Sequence, residues 1–373
     1  MKTWRYIEED GVGAGLGLAT DEYLMQACAE KRQPVLRLYT YRSHCALVGR
    51  FQNIHAELDL EACQREGLEY SRRLTGGGAI LMGENQLGIC VALPDALEAV
   101  NTRELYRLLS TPILLALKKL GIEAGFQGKN DLEAGGRKIA GLGIHVNPEG
   151  VAQFHASLLV GLDIPLMLRV LQIPLQKIGD KANIARVEQR IATVSGLLGR
   201  RVPTGDVRQL IKACFAENLG LQWQPQALEP AEQLAIGQLA AEKYRADDWI
   251  FQHAPQPDMT GMGLKKTAAG LLRAYVALKG ETIKSVLITG DFMGMETLFQ
   301  QVEARLKWSP IDQQQIRQVI RNAFAQSAII EAGLDPEAVF EAIWRAILGA
   351  MKEVQYTYRG SCYYPDTKPA RTT

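Results

Sequence analysis

Two adjacent arginines stand ahead of three consecutive glycines in the run Arg72-Arg73-Leu74-Thr75-Gly76-Gly77-Gly78-Ala79-Ile80. Guanidinium groups supply charge and a planar fork of donors, and glycine lets backbone N–H groups converge on a ligand without a Cβ in the way. The chemistry on offer is binding of a carboxylate or a phosphate. The same run also reads as a glycine-rich turn with arginines on its rim. Its position favours the site, because apolar segments at 79–81 and 87–93 can hold the loop between strands. Neither common nucleotide signature is present. The stretch Gly125-Phe126-Gln127-Gly128-Lys129-Asn130 lacks the spacing and the hydroxyl residue of a phosphate-binding P-loop, and no glycine triplet has the dinucleotide spacing. The glycines of 11–17 and the pair Gly141 and Gly143 read instead as turns or close-packed backbone.

A second cationic group lies at Gly128-Lys129-Asn130-Asp131-Leu132 and Gly136-Arg137-Lys138-Ile139-Ala140-Gly141. Alone, Lys138 reads as a solvated lysine near a hairpin tip. Phe154-His155-Ala156-Ser157-Leu158-Leu159 follows, and in it His155 reads equally as a site residue or as a satisfied strand histidine.

In order and combination these four motifs resemble the lipoate-protein ligase A family, within the biotin and lipoate protein ligase superfamily. The likeness extends to 19–24, 34–39, 48–53, 181–196 and 243–249, and 264–306 resembles the accessory domain of the family's longer members. The resemblance implies an enzyme that activates the carboxylate of lipoate or octanoate with ATP and Mg2+. The acyl-adenylate would then pass its acyl group to a lysine of a lipoyl carrier domain or a glycine-cleavage-type carrier. It implies that Arg72, Arg73, Gly76, Gly77, Gly78 and Ala79 bind the acyl and adenylate groups, and that Lys138 is the catalytic cation at the carboxylate and α-phosphate. Asn130 and Asp131 would bind nucleotide, with Asp131 as the magnesium ligand. His155 would lie nearby, and Lys181 would close over the phosphates.

One position departs from the family pattern: Met82 stands where a histidine is usual, which points to an altered acyl preference. Two other readings compete. An octanoyl or lipoyl transferase would work through a cysteine thioester and needs an activated thiol, and a non-catalytic lipoyl-binding protein would keep only the fold. Biotin ligases carry a different glycine-arginine loop.

The elements that must position these groups follow from periodicity. Helical patterns cover 18–31, 58–66, 101–120, 164–171, 204–218 and 230–243, and strand patterns cover 34–40, 45–49 and 152–160. Residues 132–140 read as a hairpin with Gly135-Gly136 at its tip. Prolines and glycines at 252–263 suggest a boundary. Beyond it, two strands at 264–278 and 282–289 and three helices at 295–306, 310–325 and 336–352 form a smaller unit. The expected fold is α+β, with mixed sheets flanked by helices in a large catalytic domain (1–252). A linker (253–262), a smaller α+β accessory domain (263–352) and a tail (353–373) complete it.

With 373 residues, 42 Lys and Arg against 41 Asp and Glu, the chain has no global charge that would call for nucleic acid or a membrane. Six scattered cysteines without a C-x-x-C pair argue against a disulfide framework and a structural zinc site. The expectation is a cytoplasmic monomer with reduced thiols.

Overall fold

The structure is a computed structural model that describes residues 2–50, 52, 54–96, 101–128, 130–171, 190–252, 255, 258–292, 295–327 and 333–354. Lys181, Cys362 and the tail from 355 onward lie outside the described residues. The described residues divide into two compact units, one reaching from the start to Gln252 apart from the stretch around Gln52, and the other from 253 onward together with that stretch.

The first unit opens with β1 (Lys2–Val12), α1 (Ala14–Lys31), β2 (Val35–Tyr41) and β3 (Cys45–Val48). Short helices α2 (Ile54–Glu57) and α3 (Leu60–Arg65) precede β4 (Glu69–Arg72), β5 (Ile80–Met82) and β6 (Gln86–Leu93). Then come α4 (Thr102–Lys119), β7 (Ala124–Gln127), β8 (Asp131–Ala134), β9 (Arg137–Val146) and β10 (Ala152–Leu159). Helices α5 (Ile164–Val170), α6 (Val194–Leu198) and α7 (Thr204–Leu219) lead to β11 (Leu221–Pro225), α8 (Pro230–Leu239) and α9 (Asp247–Ile250).

Eight strands form one mixed sheet in the order β11-β1-β2-β6-β10-β9-β8-β7, and a small sheet of order β4-β3-β5 carries the glycine loop. Central strands β2 and β6 are buried almost throughout, as strands covered on both faces must be. Helix α4 starts with the capping box of Asn101 and Glu104, and its apolar stripe of Leu105, Leu109, Ile113 and Leu117 is fully buried. Each of those side chains contributes about 2 kcal/mol of transfer free energy.

Strand β1 differs from the sequence reading because its charges disguise it: Arg5, 3% exposed, forks onto Glu232 at 2.7 and 2.6 Å between the buried Trp4 and Tyr6. Helix α1 starts earlier than its pattern suggests and includes Gly15 and Gly17. A Cβ on Gly17 would lie 3.1 Å from the Tyr41 ring, so close packing on the sheet outweighs glycine's poor helix propensity. Helix α8 runs into a wide π turn at Ala240–Tyr244, which sets Lys243 and Tyr244 side by side on Glu22 at 2.8 and 2.6 Å.

The second unit is an antiparallel sheet of β12 (Gly261–Lys266), β13 (Leu271–Lys279), β14 (Thr282–Gly290) and β15 (Ser309–Pro310). Helices α10 (Glu296–Leu306), α11 (Gln313–Gln326) and α12 (Pro336–Val354) accompany it. The stretch expected as one strand at 264–278 is two, broken at Thr267, whose hydroxyl accepts from the N–H groups of Ala269 and Gly270. Leu272, Ala274 and Val276 alternate into a core with Phe299, Ile320 and Ile343.

Candidate active site

The loop from Arg73 to Ala79 joins β4 to β5 across the end of β3. It is tied down by backbone bonds from Arg73 N–H to Val48 O and from Arg50 N–H to Thr75 O, both 2.9 Å. Gly77 has φ of 92°, where a side chain would be strained, and a Cβ on Gly49 would lie 2.1 Å from Gly77 O. Gly49 is therefore what allows the glycine loop to sit against β3.

The two arginines point to opposite sides of their strand, as period two requires. Arg72 is fully buried and donates to carbonyl oxygens: Trp249 and Ile250 from Nε at 3.1 and 3.0 Å, Gly49 and Arg50 from Nη1 at 2.9 and 3.1 Å, and Ile250 again from Nη2 at 2.7 Å. The Trp249 indole N–H returns a bond to Arg72 O at 2.9 Å. Arg72 does not line the cavity, and through these bonds it braces 49–50 and 249–250. Arg73 faces the large sheet. It donates to Leu47 O at 2.6 Å, Gly78 O at 2.9 Å and Gly76 O at 3.3 Å, while its Nε, also buried, has no hydrogen-bond partner. Among the described residues no carboxylate pairs with it. Burial pulls its pKa down to about 10, which leaves it cationic at neutral pH.

The opposite wall comes from β8, β9 and β10. Gly135 and Gly136, with φ of 56° and 71°, close the β8–β9 hairpin as its sequence suggested. Lys138 Nζ reaches over Gly141, where a Cβ would stand 3.1 Å away, and lies 2.7 Å from Asp131 Oδ1. Its backbone pairs with the other side of the cavity: Lys138 N–H donates to Arg190 O and Ala192 N–H donates to Lys138 O, both 2.8 Å. Asn130 is fixed by its Nδ2 on Leu142 O at 3.1 Å. The His155 ring lies 3.2 Å from the Thr75 hydroxyl, above Gly143, whose Cβ would meet it at 2.7 Å. Burial, aided by the Arg73 charge, lowers its pKa to about 3, so the imidazole is neutral.

Arg73, Gly76, Gly77, Gly78, Asn130, Lys138 and His155 thus converge on one cavity of about 160 Å³. Its rim is apolar and half-exposed at Leu159, Leu162, Leu171 and Ile191, and its interior is buried at Leu81 and Met82. Ala79 also lines it, whereas Asp131 reaches it only through Lys138. Lys181 lies outside the described residues. Sequence reasoning missed Ser157 and Leu159 as lining residues, although strand alternation from His155 puts all three on one face.

Among the described residues no group of three or more His, Cys, Asp and Glu could hold a metal ion. Magnesium accompanying a nucleotide needs only one or two carboxylates besides phosphate oxygens, and the expected one, Asp131, stands behind Lys138 and is paired with it at 2.7 Å. Cys28, Cys45, Cys63, Cys90 and Cys214 are all buried, and none lines the cavity. Cys90 sits opposite His155 on the neighbouring strand, but burial pushes its thiol well above the ordinary range, away from the thiolate form.

The first unit is thus a two-sheet α+β domain with a buried guanidinium, a lysine amine and a glycine loop around one cavity. Residues 14–216, more than half of the chain, match the family model of the lipoyl protein ligase A/B catalytic domain, and residues 256–343 match that of the bacterial lipoate protein ligase C-terminus. The chain belongs to the lipoyl protein ligase A/B family. The octanoyltransferase LipM of Symbiobacterium thermophilum is 28% identical over 269 residues, covering 66% of this chain and 97% of that protein. The LipM of Bacillus subtilis is 27% identical over 276 residues, covering 67% and 99%. Two solved structures share the fold. A bipartite lipoate protein ligase of Thermoplasma acidophilum, described with its E2 lipoyl domain, has a TM-score of 0.60 at 24% identity over 69% of this chain and 99% of that one. P. falciparum LipL1 in complex with lipoate has a TM-score of 0.70 at 15% identity over 88% and 95%. No described helix is long and apolar enough to cross a membrane.

Proposed function

We propose that this protein is an ATP-dependent lipoate-protein ligase, forming an acyl-adenylate from lipoate or octanoate and passing the acyl group to a carrier lysine. The observation that carries the reading is Arg73, a buried guanidinium that has no carboxylate partner among the described residues, facing the same cavity as the Lys138 amine. Leaving a buried cation unpaired is costly unless a ligand completes it. A carboxylate and a phosphate together would do so. In the proposed reaction a carboxylate oxygen of the acid attacks the α-phosphorus and pyrophosphate leaves. The carrier amine then attacks the acyl carbon, the carbon–oxygen bond to AMP breaks, and the amine sheds a proton to solvent. Lys138 and the loop amides stabilise the charge that develops on the transferring oxygens. Asp131 positions Lys138 and contributes to the magnesium site, which would screen the leaving pyrophosphate.

The half-exposed rim at Leu162 and Leu171 suits the adenine, and the enclosed interior at Leu81 and Met82 suits the acyl chain, which gains most from complete burial. A thioester transferase is the second reading, favoured by the LipM relatives. Against it stands the lining itself, which includes no cysteine among the described residues, and the ligase-type C-terminal match supports the first reading. Intact-mass measurement of an unmodified lipoyl domain incubated with lipoate and magnesium-ATP decides between them. The ligase reading expects an ATP-dependent lipoyl increment, lost in Lys138→Ala. Modification from octanoyl-carrier without ATP would replace it with the transferase.

A further inference from the structure

Behind the main cavity lies a second, smaller recess of about 20 Å³, room for roughly one water molecule. The two spaces share one wall, which includes Arg73, Ile80, Met82 and His155. Met82, 2% exposed, is an unbranched side chain on that wall. The far side of the recess is polar. The Tyr39 hydroxyl donates to Asp21 Oδ2 at 3.0 Å, and Tyr41 stands beside it. Gln153, 4% exposed, lines the recess with its Oε1 buried and without a partner, and Arg73 Nε–H is likewise unpartnered. A hydrocarbon chain entering this space would leave both groups unpaired, so as it stands the recess suits water rather than an acyl tail.

We propose that Met82 is the partition that sets the acyl-chain length this protein accepts, by closing the main cavity off from the recess. The proposal rests on the placement of the acyl chain toward Leu81 and Met82 given above. Truncation of Met82 to alanine removes three heavy atoms from the shared wall, about the bulk of three methylenes, and joins the two spaces. Each additional methylene buried is worth about fourfold in affinity.

The test is calorimetric binding of straight-chain acids of rising length, together with the mass of the acylated carrier. Met82→Ala is expected to move the optimum two or three carbons beyond that of the wild type, with the longer acids gaining less than about fourfold per methylene because the chain displaces water from the Gln153 and Arg73 groups. Met82→Phe is expected to shorten the optimum, and Met82→Leu, similar in bulk, to keep it. Gln153→Leu added to Met82→Ala removes the unpartnered acceptor and is expected to favour the longer acids further. A folded Met82→Ala protein with the wild-type chain-length profile would overturn the proposal, as would the absence of acid binding to the wild type. Acid binding with the expected shift, but acyl transfer that ignores ATP, would overturn the ligase reading and leave the partition standing.

Discussion

Replacing Gly49 by alanine probes whether the glycine loop must sit where it does. The new Cβ would stand 2.1 Å from Gly77 O, 3.1 Å from Gly77 C and 3.2 Å from Gly76 C. These atoms belong to backbone, so no side chain can swing away to relieve the overlap. Relief requires the loop to retreat by about one ångström, a displacement that typically costs about a hundredfold when it misplaces reacting groups. Because Gly49 O also accepts from Arg72 and the loop carbonyls of Gly76 and Gly78 accept from Arg73, the retreat disturbs both arginines.

Single-turnover adenylation of lipoate is expected to fall about 100-fold, equivalent to roughly 2.7 kcal/mol of transition-state stabilisation. Urea denaturation is expected to show a separate loss of about 1–3 kcal/mol from overpacking. Gly125→Ala is the control, since a Cβ there meets nothing within 4 Å. Adenylation within threefold of wild type in Gly49→Ala would refute the reasoning, because the loop would then have moved without affecting chemistry.

Arg72→Met and Arg73→Met are expected to separate along different axes. The first deprives five carbonyl contacts of their donor and should cost on the order of 3–5 kcal/mol in chemical denaturation, whereas the second should spare much of the stability and abolish acid binding by calorimetry. Glu303 in the second unit, raised to about 7 by burial despite accepting the Ile288 N–H at 2.7 Å, holds its proton in the folded state after the unfolded chain has lost it. Stability of that unit should therefore fall as pH rises from about 4.5 to 7, by roughly 3 kcal/mol at most. Glu303→Gln should flatten this slope and raise the Tm at pH 8; an unchanged Tm would count against it. His155, lowered to about 3, works in the opposite sense: the unfolded chain takes up a proton near pH 6.5 that the folded state refuses, so stability is complete above that pH and declines as pH falls toward 3. Thermal scans of His155→Gln should show a shallower acid decline than wild type.

How far the sequence discloses the site depends on what each residue must do locally. The Asn101 capping box and the Gly135-Gly136 turn are short-range devices, and the structure has both where the residues suggested. The boundary of α1 and the existence of β1 were not visible, since Gly15, Gly17 and Arg5 take their states from Arg245, Tyr41 and Glu232, more than twenty residues away in sequence. Sequence spacing could group Asn130, Lys138 and His155 only through a family resemblance. What brings them to one cavity is the pairing of β10 with β9 and of β9 with β8.

Arg72 and Arg73 show the same limit at its finest grain. As residue types they are identical, and strand alternation alone says that they face opposite ways. Which of the two faces the cavity is decided by Trp249 and Ile250, whose carbonyls capture Arg72 on the side away from the large sheet. Once those carbonyls have satisfied one guanidinium, the other is left with three backbone acceptors and, among the described residues, an idle Nε and no carboxylate. A pair of arginines that looked like a doubled anion clamp is thus divided between a guanidinium saturated by backbone carbonyls and one that lines the cavity, and under the proposed function it is the second that meets the ligand.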